Sequence, residues 1–350
     1  MIVDFDSVEC RSAFDISARS PVSLPVQSTE DASIGGSVEL TELRDVLYLP
    51  NALEPGQSIC LAERRFVPTE AILDCWSVGF FKASRARDAR FKDIYSGELA
   101  VSAFDGTACV LGNLFSRNFG HWTEEMLKVA VLEASRVDCS YVIPTLPGFA
   151  HDFLALLGIE AHRIVTLDQP TILSRAVFTT AVDHENIAAF PAVLFVFRDL
   201  VRSRLGDVPS RYGPRLWLER GEMVRHGGVT VNREEVHRLV ERYAFEVVDM
   251  ATLSLRDQLR TAQQTRVIAG PHGSQFVHAQ FMPMRSTVIE CFSPIHVNPS
   301  ILQICRALRH DYRQIVSRCN LVAPYTHGRD CQVDCDHLAL VLDSLPAASV

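Results

Sequence analysis

An α/β protein built of two halves is what this sequence predicts, and three observations predict it. Its 350 residues exceed what a single hydrophobic core usually organises. From about residue 105, short apolar strand candidates alternate with segments whose apolar residues recur at helical spacing. The connections between them are short, which implies right-handed crossovers and parallel sheets. Two Rossmann-like halves facing each other would leave a cleft at their strand C-terminal ends, where open sheets bind ligands.

Residues 1–100 carry only short apolar pieces, Val46–Leu49 and Val78–Phe81 among them, separated by Pro, Gly and Ser. They predict an irregular, strand-containing N-terminal region. Beyond it, Cys109–Leu111 is a strand and Gly120–Ala134 a helix, apolar through Trp122, Met126, Val129 and Ala130. Tyr141–Ile143 is a strand stopped by Pro144. His151–Leu157 is a helix stopped by Gly158, which suits the left-handed position past a helix end. Arg163–Leu167 and Ala176–Thr180 are strands, and Pro191–Leu205 is a helix opened by proline.

Ser210–Pro214 reads as the interdomain joint. After it come strand Arg215–Leu218, helix Asn232–Tyr243 capped by Asn232, and strand Phe245–Val248. Helix Ser254–Gln263 follows, capped by Ser254 with Asp257 three residues on. Strand Arg266–Ala269, helix Ser274–Phe281, strand Thr287–Glu290, helix Pro299–Leu308 and strand Tyr312–Val316 complete the pattern. The expected domains are 1–210 (1–100 being the irregular part), 211–320, and a helical tail over 321–350.

Hydrophobic residues make up 47% and charged residues 22% of the chain, a globular composition rather than a disordered one. The 42 acidic residues outnumber the 34 basic ones, so the basic field of a nucleic-acid binder is missing. Any phosphate contact must come from a few placed arginines or from backbone N–H groups. The N-terminal MIVDFDSVEC is acidic where a signal peptide is basic. The longest apolar run, Ala188–Phe197, is interrupted by Pro191 and covers about half of the roughly 20 residues that span a bilayer. A cytoplasmic protein is expected, with peripheral association at the inner face of a membrane left open. Most of the ten cysteines stand singly among apolar neighbours and read as small hydrophobes. His327, Cys331, Cys335 and His337 cluster in sequence, but without the paired knuckles of a structural zinc site. A plain C-terminal helix is expected there, and no metal.

The strongest local feature is Val267–Phe276, in which a buried strand runs into Gly270, Pro271, His272 and Gly273 and then a helix starting near Ser274. Glycines let the backbone approach a ligand, and the first N–H groups of a helix lack internal partners at the positive end of its dipole. That suits a diphosphate; a tight turn with His272 merely packed is the plainer alternative. Glu290 ends the next strand, where a carboxylate can accept ribose hydroxyls or simply be solvated. Arg220 and Arg225 follow strand Arg215–Leu218 at the same sheet edge. A guanidinium matches phosphate oxygens bidentately, although loops often carry surface arginines. Upstream, His121 and Glu125 lie four apart on one helix face, a pairing that can polarise a hydroxyl. Trp122 offers a sugar-stacking plate or plain core packing. Asp183, in Asp183-His184-Glu185 after another strand, is a second candidate base.

Taken in order, these residues resemble the catalytic core of glycosyltransferase family 61. The family includes capsular-polysaccharide-type bacterial enzymes and plant and animal xylosyl-, arabinosyl- and N-acetylglucosaminyltransferases. Its arginine after a strand, second arginine, asparagine before a helix, G-x-H-G-[AS] turn, phenylalanine-bearing helix and strand-ending glutamate fall on Arg220, Arg225, Asn232, Gly270–Ser274, Phe281 and Glu290. Asp257-Gln258 stands where Glu-Gln is usual, and His121, Trp122 and Glu125 match the family's His-Trp helix with an acid four residues on. Two departures stand out: Asn232-Arg233-Glu234 replaces Asn-Glu, and Gln275 brings a bulkier residue to the turn.

The resemblance implies a GT-B fold, inversion at the anomeric carbon, and no cofactor or divalent metal. Asp334-Cys-Asp336 has the metal-binding form but lies in the tail. The expected partners are a nucleotide-sugar donor and a glycan or lipid-linked glycan acceptor, in surface polysaccharide biosynthesis. Arg220, Arg225, Gly270, His272, Gly273, Ser274 and Glu290 would hold the donor, while His121, Glu125 or Asp183 would serve catalysis on the acceptor side. The competing expectation is a catalytically silent carbohydrate- or nucleotide-binding module on the same fold.

Overall fold

A computed structural model describes residues 18–23, 37–52, 58–62, 65–67, 89–112, 116–180, 182–221, 230–294, 297–317 and 331–346. Arg225, His327 and the strand candidate at 78–81 lie outside them. The chain divides into two compact units, Met1–Arg204 and Leu205–Val350. Among the described residues no helix is long and apolar enough to cross a membrane.

The first unit carries strands β1 (Ala18–Ser23), β2 (Ser37–Pro50), β3 (Ser58–Ala62), β4 (Arg65–Val67), β5 (Ser102–Val110), β6 (Ser140–Ile143), β7 (Ile164–Thr166) and β8 (Thr171–Thr179). Its helices are α1 (Arg90–Ser96), α2 (Phe119–Ala134), α3 (Gly148–Leu156) and α4 (Pro191–Leu205). The sheet runs β4-β3-β2-β8-β5-β6-β7, with β1 also on β2. Strands β8, β5, β6 and β7 are mutually parallel, as short βα alternation requires. The N-terminal strands differ from the irregular region expected. Strand β2 pairs antiparallel with β8 over most of its length and brings β1, β3 and β4 into the same sheet. Its pattern was obscured because buried Leu43 and Val46 are separated by two exposed charged residues, Arg44 and Asp45, rather than by one.

Among the described residues the second unit has five parallel strands, β9 (Arg215–Leu218), β10 (Glu246–Val248), β11 (Val267–Pro271), β12 (Thr287–Phe292) and β13 (Asp311–Val316). They lie in the order β10-β9-β11-β12-β13, so the chain reverses its direction across the sheet between β9 and β11. Strands β9 and β11 are buried throughout, as strands covered on both faces must be. On one face Trp217, Ala269, Ile289 and Ile315 pack with α5 (Arg233–Glu241) and α8 (Cys335–Asp343) through Val236, Val240, Leu338 and Leu342. The segment read as a tail is therefore part of this core. Cys331 is buried in it, with its Sγ 2.8 Å from Ser317 Oγ.

Helices α6 (Leu255–Gln264) and α7 (Ser300–Leu308) complete the unit. Ser254 caps α6 as expected, accepting from Asp257 N at 3.2 Å. Asn232 stands at the start of α5 but does not cap it. Its amide instead exchanges two hydrogen bonds with the backbone of Val333, each 2.9 Å, because a side chain that satisfies a neighbouring segment's donor and acceptor together gains more than one cap bond. Ser274–Phe281 forms a 3-10 helix rather than an α-helix.

Candidate active site

In the second unit the site residues gather at the C-terminal ends of β9 and β11. Gly270 has φ +156°, and a Cβ there would come within 2.5 Å of the Leu218 carbonyl oxygen, so only glycine lets the two strands lie this close. The Arg220 guanidinium rests on the Gly273 backbone, 3.0 Å from where a Cβ would sit, and Nη1 donates to His272 O at 3.1 Å. The loop behind it is fixed as well. Buried Glu219 accepts from Arg220 N at 2.9 Å and from His237 Nε2 at 2.8 Å, and Arg233 donates to Arg220 O at 3.3 Å. Gln275 turns its amide back to Leu218 O at 3.1 Å, tying the turn to the strand end.

The first bond of the 3-10 helix runs from Phe276 N to Gly273 O; the N–H groups ahead of it are those a helix start leaves for an outside acceptor. Partly exposed Ser274 opens this turn. His272 stacks on Phe292, with centroids 4.8 Å apart, and its Nδ1 lies 2.5 Å from Glu290 Oε1. Glu290 is fully buried, and its other oxygen accepts from Tyr312 OH at 2.8 Å. Both oxygens thus face protein, Oε1 toward the His272 ring and Oε2 toward the Tyr312 hydroxyl. His278, buried and held down to about 4 by that burial, lies 3.1 Å from Gln258 Oε1 and so links the turn to α6.

In the first unit a second cluster forms where α2 starts and the chain leaves β8. Asn118 caps α2, accepting from Gly120 N at 2.8 Å. The carboxylate that meets His121 is Glu124, three residues on: Nδ1 lies 3.0 Å from Glu124 Oε2. Glu124 Oε1 is 3.3 Å from His184 Nδ1 and accepts from His184 N at 3.2 Å. Burial pushes the Glu124 carboxyl up, but the two imidazoles and their hydrogen bonds outweigh it and hold it at about 2. Glu125 points elsewhere. It is fully buried, grips Lys128 Nζ at 2.9 and 3.0 Å, and accepts from Gly112 N at 3.2 Å beyond β5. Trp122 is fully buried too, which leaves core packing as its role. Asp183 caps its own turn by accepting from Glu185 N at 2.8 Å and Asn186 N at 3.1 Å. Its Oδ2 is buried with no partner among the described residues. Burial, then repulsion from Glu124, pushes Asp183 up to about 6.

Residues 119–289 match the family model described as Glycosyltransferase 61. That segment belongs to glycosyltransferase family 61. No curated protein sequence matches it. The family match begins at α2 and ends in β12, so it carries His121, Asp183, Arg220 and His272 and stops one residue short of Glu290. A family 61 segment supports a transferase and implies a sugar donor and a glycan acceptor. Two residues near these sites escaped the sequence reading. Glu124 was overlooked because i,i+3 and i,i+4 neighbours share a helix face equally. Tyr312 could be found only from strand register, since it reaches Glu290 diagonally across β12 and β13, where Glu290 pairs with Gln314.

Proposed function

We propose that this family 61 protein is an inverting, metal-independent glycosyltransferase of the GT-B type, taking its sugar from a nucleoside diphosphate donor. The observation that supports this most is the placement of Arg220 beside the 270–274 turn, at the ends of the neighbouring strands where the sheet order reverses. Open parallel sheets bind phosphate-bearing ligands at such a point, against helix N-terminal N–H groups. The guanidinium adds a permanent cation in fork geometry.

In the proposed reaction the acceptor hydroxyl oxygen attacks the anomeric carbon while the bond from that carbon to the diphosphate oxygen breaks on the opposite face. The hydroxyl proton passes to a base in the first unit, and His121 is our choice. With Nδ1–H directed at Glu124, its basic lone pair is on Nε2, and its side chain is 41% exposed. Negative charge gathering on the departing diphosphate is met by Arg220 and the turn's N–H groups. The setting we propose is the cytoplasm at the inner face of a membrane, with a growing surface polysaccharide or lipid-linked glycan as acceptor.

A panel of nucleotide sugars, screened by thermal shift with a chelator present, tests this. The right donor at 100-fold its dissociation constant adds about 2.7 kcal/mol of apparent stability, and Arg220→Ala should lose that gain while melting normally without donor. Stabilisation by no member of the panel sinks the donor reading; stabilisation or turnover that depends on a divalent cation sinks metal independence.

A further inference from the structure

Glu290, His272 and Tyr312 form a chain that the family match does not contain as a whole. Glu290 is fully buried on β12, with one oxygen 2.5 Å from His272 Nδ1 and the other 2.8 Å from the Tyr312 hydroxyl. Burial and the adjacent carboxylate hold the Tyr312 phenol well above its ordinary range, so it serves as a donor. Stacking on Phe292 fixes the plane of the His272 ring. The His272 side chain is 17% exposed where that of Glu290 is not exposed at all. The chain thus runs from a dry carboxylate outward to an imidazole at the edge of the 270–274 turn.

We propose that Tyr312 is a positioning residue of the donor site: its hydroxyl holds the Glu290 carboxylate so that His272 keeps its hydrogen on Nδ1 and presents Nε2 as its working nitrogen. The assignment to a donor rests on the function proposed above; the tautomer does not. A carboxylate accepts from Nδ1–H and, while ionised, cannot donate to it. Tyr312 supplies the only hydrogen bond that Glu290 Oε2 receives among the described residues. Without it, Glu290 Oε2 is left in a dry site with no donor among the described residues, and nothing there holds the carboxylate in the orientation that receives Nδ1–H. A carboxylate that is free to turn no longer selects the Nδ1–H form, and the ring then samples the tautomer with its hydrogen on Nε2.

Long-range proton–nitrogen NMR of the ¹⁵N-labelled full chain at neutral pH reads this directly. The His272 signals among those of the 12 histidines are assigned by their loss in His272→Gln. Wild-type protein should show Nδ1–H, and Tyr312→Phe, melting lower but folded at the temperature of the measurement, should show the Nε2–H pattern or an exchanging mixture. A purely structural tyrosine would leave the ring signals where they are, and unchanged signals in Tyr312→Phe overturn the proposal. An Nε2–H ring in wild-type protein overturns it by itself, whether or not the variant folds. Thermal shift with UDP and with GDP runs in parallel. Stabilisation by neither, with the ring as expected, removes the donor reading and leaves the tautomer standing; stabilisation with an Nε2–H ring removes only the tautomer.

Discussion

Replacing Lys128 by methionine should unfold the first unit at a markedly lower temperature, and the structure supplies the size. Lys128 Nζ contacts both oxygens of Glu125 at 2.9 and 3.0 Å, and Glu125 has no exposed surface. Removing one partner of a buried ion pair leaves the other uncompensated, at a cost of roughly 3–5 kcal/mol. The Gly112 N–H that remains on Glu125 moves the expectation toward the lower end. For a unit of this size each kcal/mol moves the midpoint by about 2–4 °C, so a drop of roughly 6–20 °C is expected. Glu125→Gln should fall by a similar amount, whereas the double variant should melt above either single variant, because no lone charge then remains in the core. Circular dichroism melting reads all four proteins. Turnover assayed well below the midpoints should survive in Glu125→Gln, since a carboxylate sealed against Lys128 does not meet an acceptor. Wild-type melting in Lys128→Met, or a loss of turnover of about 10²-fold or more in a stable Glu125→Gln, would refute the structural role.

Glu124→Gln and His121→Ala should each cut turnover by about 10²–10⁴-fold, the range of general-base assistance, while donor affinity by thermal shift stays near wild type. A loss confined to affinity would move the base to another group. Asp183→Asn should flatten a pH dependence of stability. The folded pKa of about 6 lies above the ordinary 3.8, so the folded state binds the extra proton between these values, and stability declines as pH rises through that window. The decline amounts to about 3 kcal/mol. Denaturant midpoints from pH 3 to 8 check it, and an unaltered slope in the variant contradicts the assignment. Gly270→Ala should cost about 2–4 kcal/mol, from backbone strain together with the contact on the Leu218 carbonyl; a change below about 0.5 kcal/mol in the denaturant midpoint would show that β9 and β11 separate freely.

The second unit was the more legible in sequence. The central strands β9, β11 and β12 there are almost wholly buried and read as short, mostly apolar runs, and Gly270 and Gly273 mark the turn. The antiparallel wing of the first unit was not legible as a sheet: β2 is a half-buried strand whose partner β8 lies more than a hundred residues away, and a register over that distance leaves no local trace. Among the site residues, proximity of Arg220 to His272 followed from both standing at C-terminal strand ends. The roles of individual carboxylates did not follow. Glu124 and Glu125 are adjacent and chemically alike, and what separates them is Lys128 and the Gly112 N–H on one side and two imidazoles on the other.

Both units place a carboxylate behind an imidazole where parallel strands end: Glu124 behind His121, and Glu290 behind His272. In each, the inner carboxylate is the more buried partner and takes Nδ1, which places the ring hydrogen there and the lone pair on Nε2. The second contacts differ, and with them the behaviour expected of each ring. Glu124 is shared with a second histidine and is held at about 2 by the two imidazoles, so it stays ionised behind His121, as suits the orienter of a base that takes up a proton and releases it. Glu290 is shared with a phenol that stays protonated, which suits a ring that has to be held in one state. If proton transfer is assigned to the first unit and donor binding to the second, substitutions around Glu124 should reshape the pH profile of turnover, whereas those around Glu290 should change its height and leave its shape.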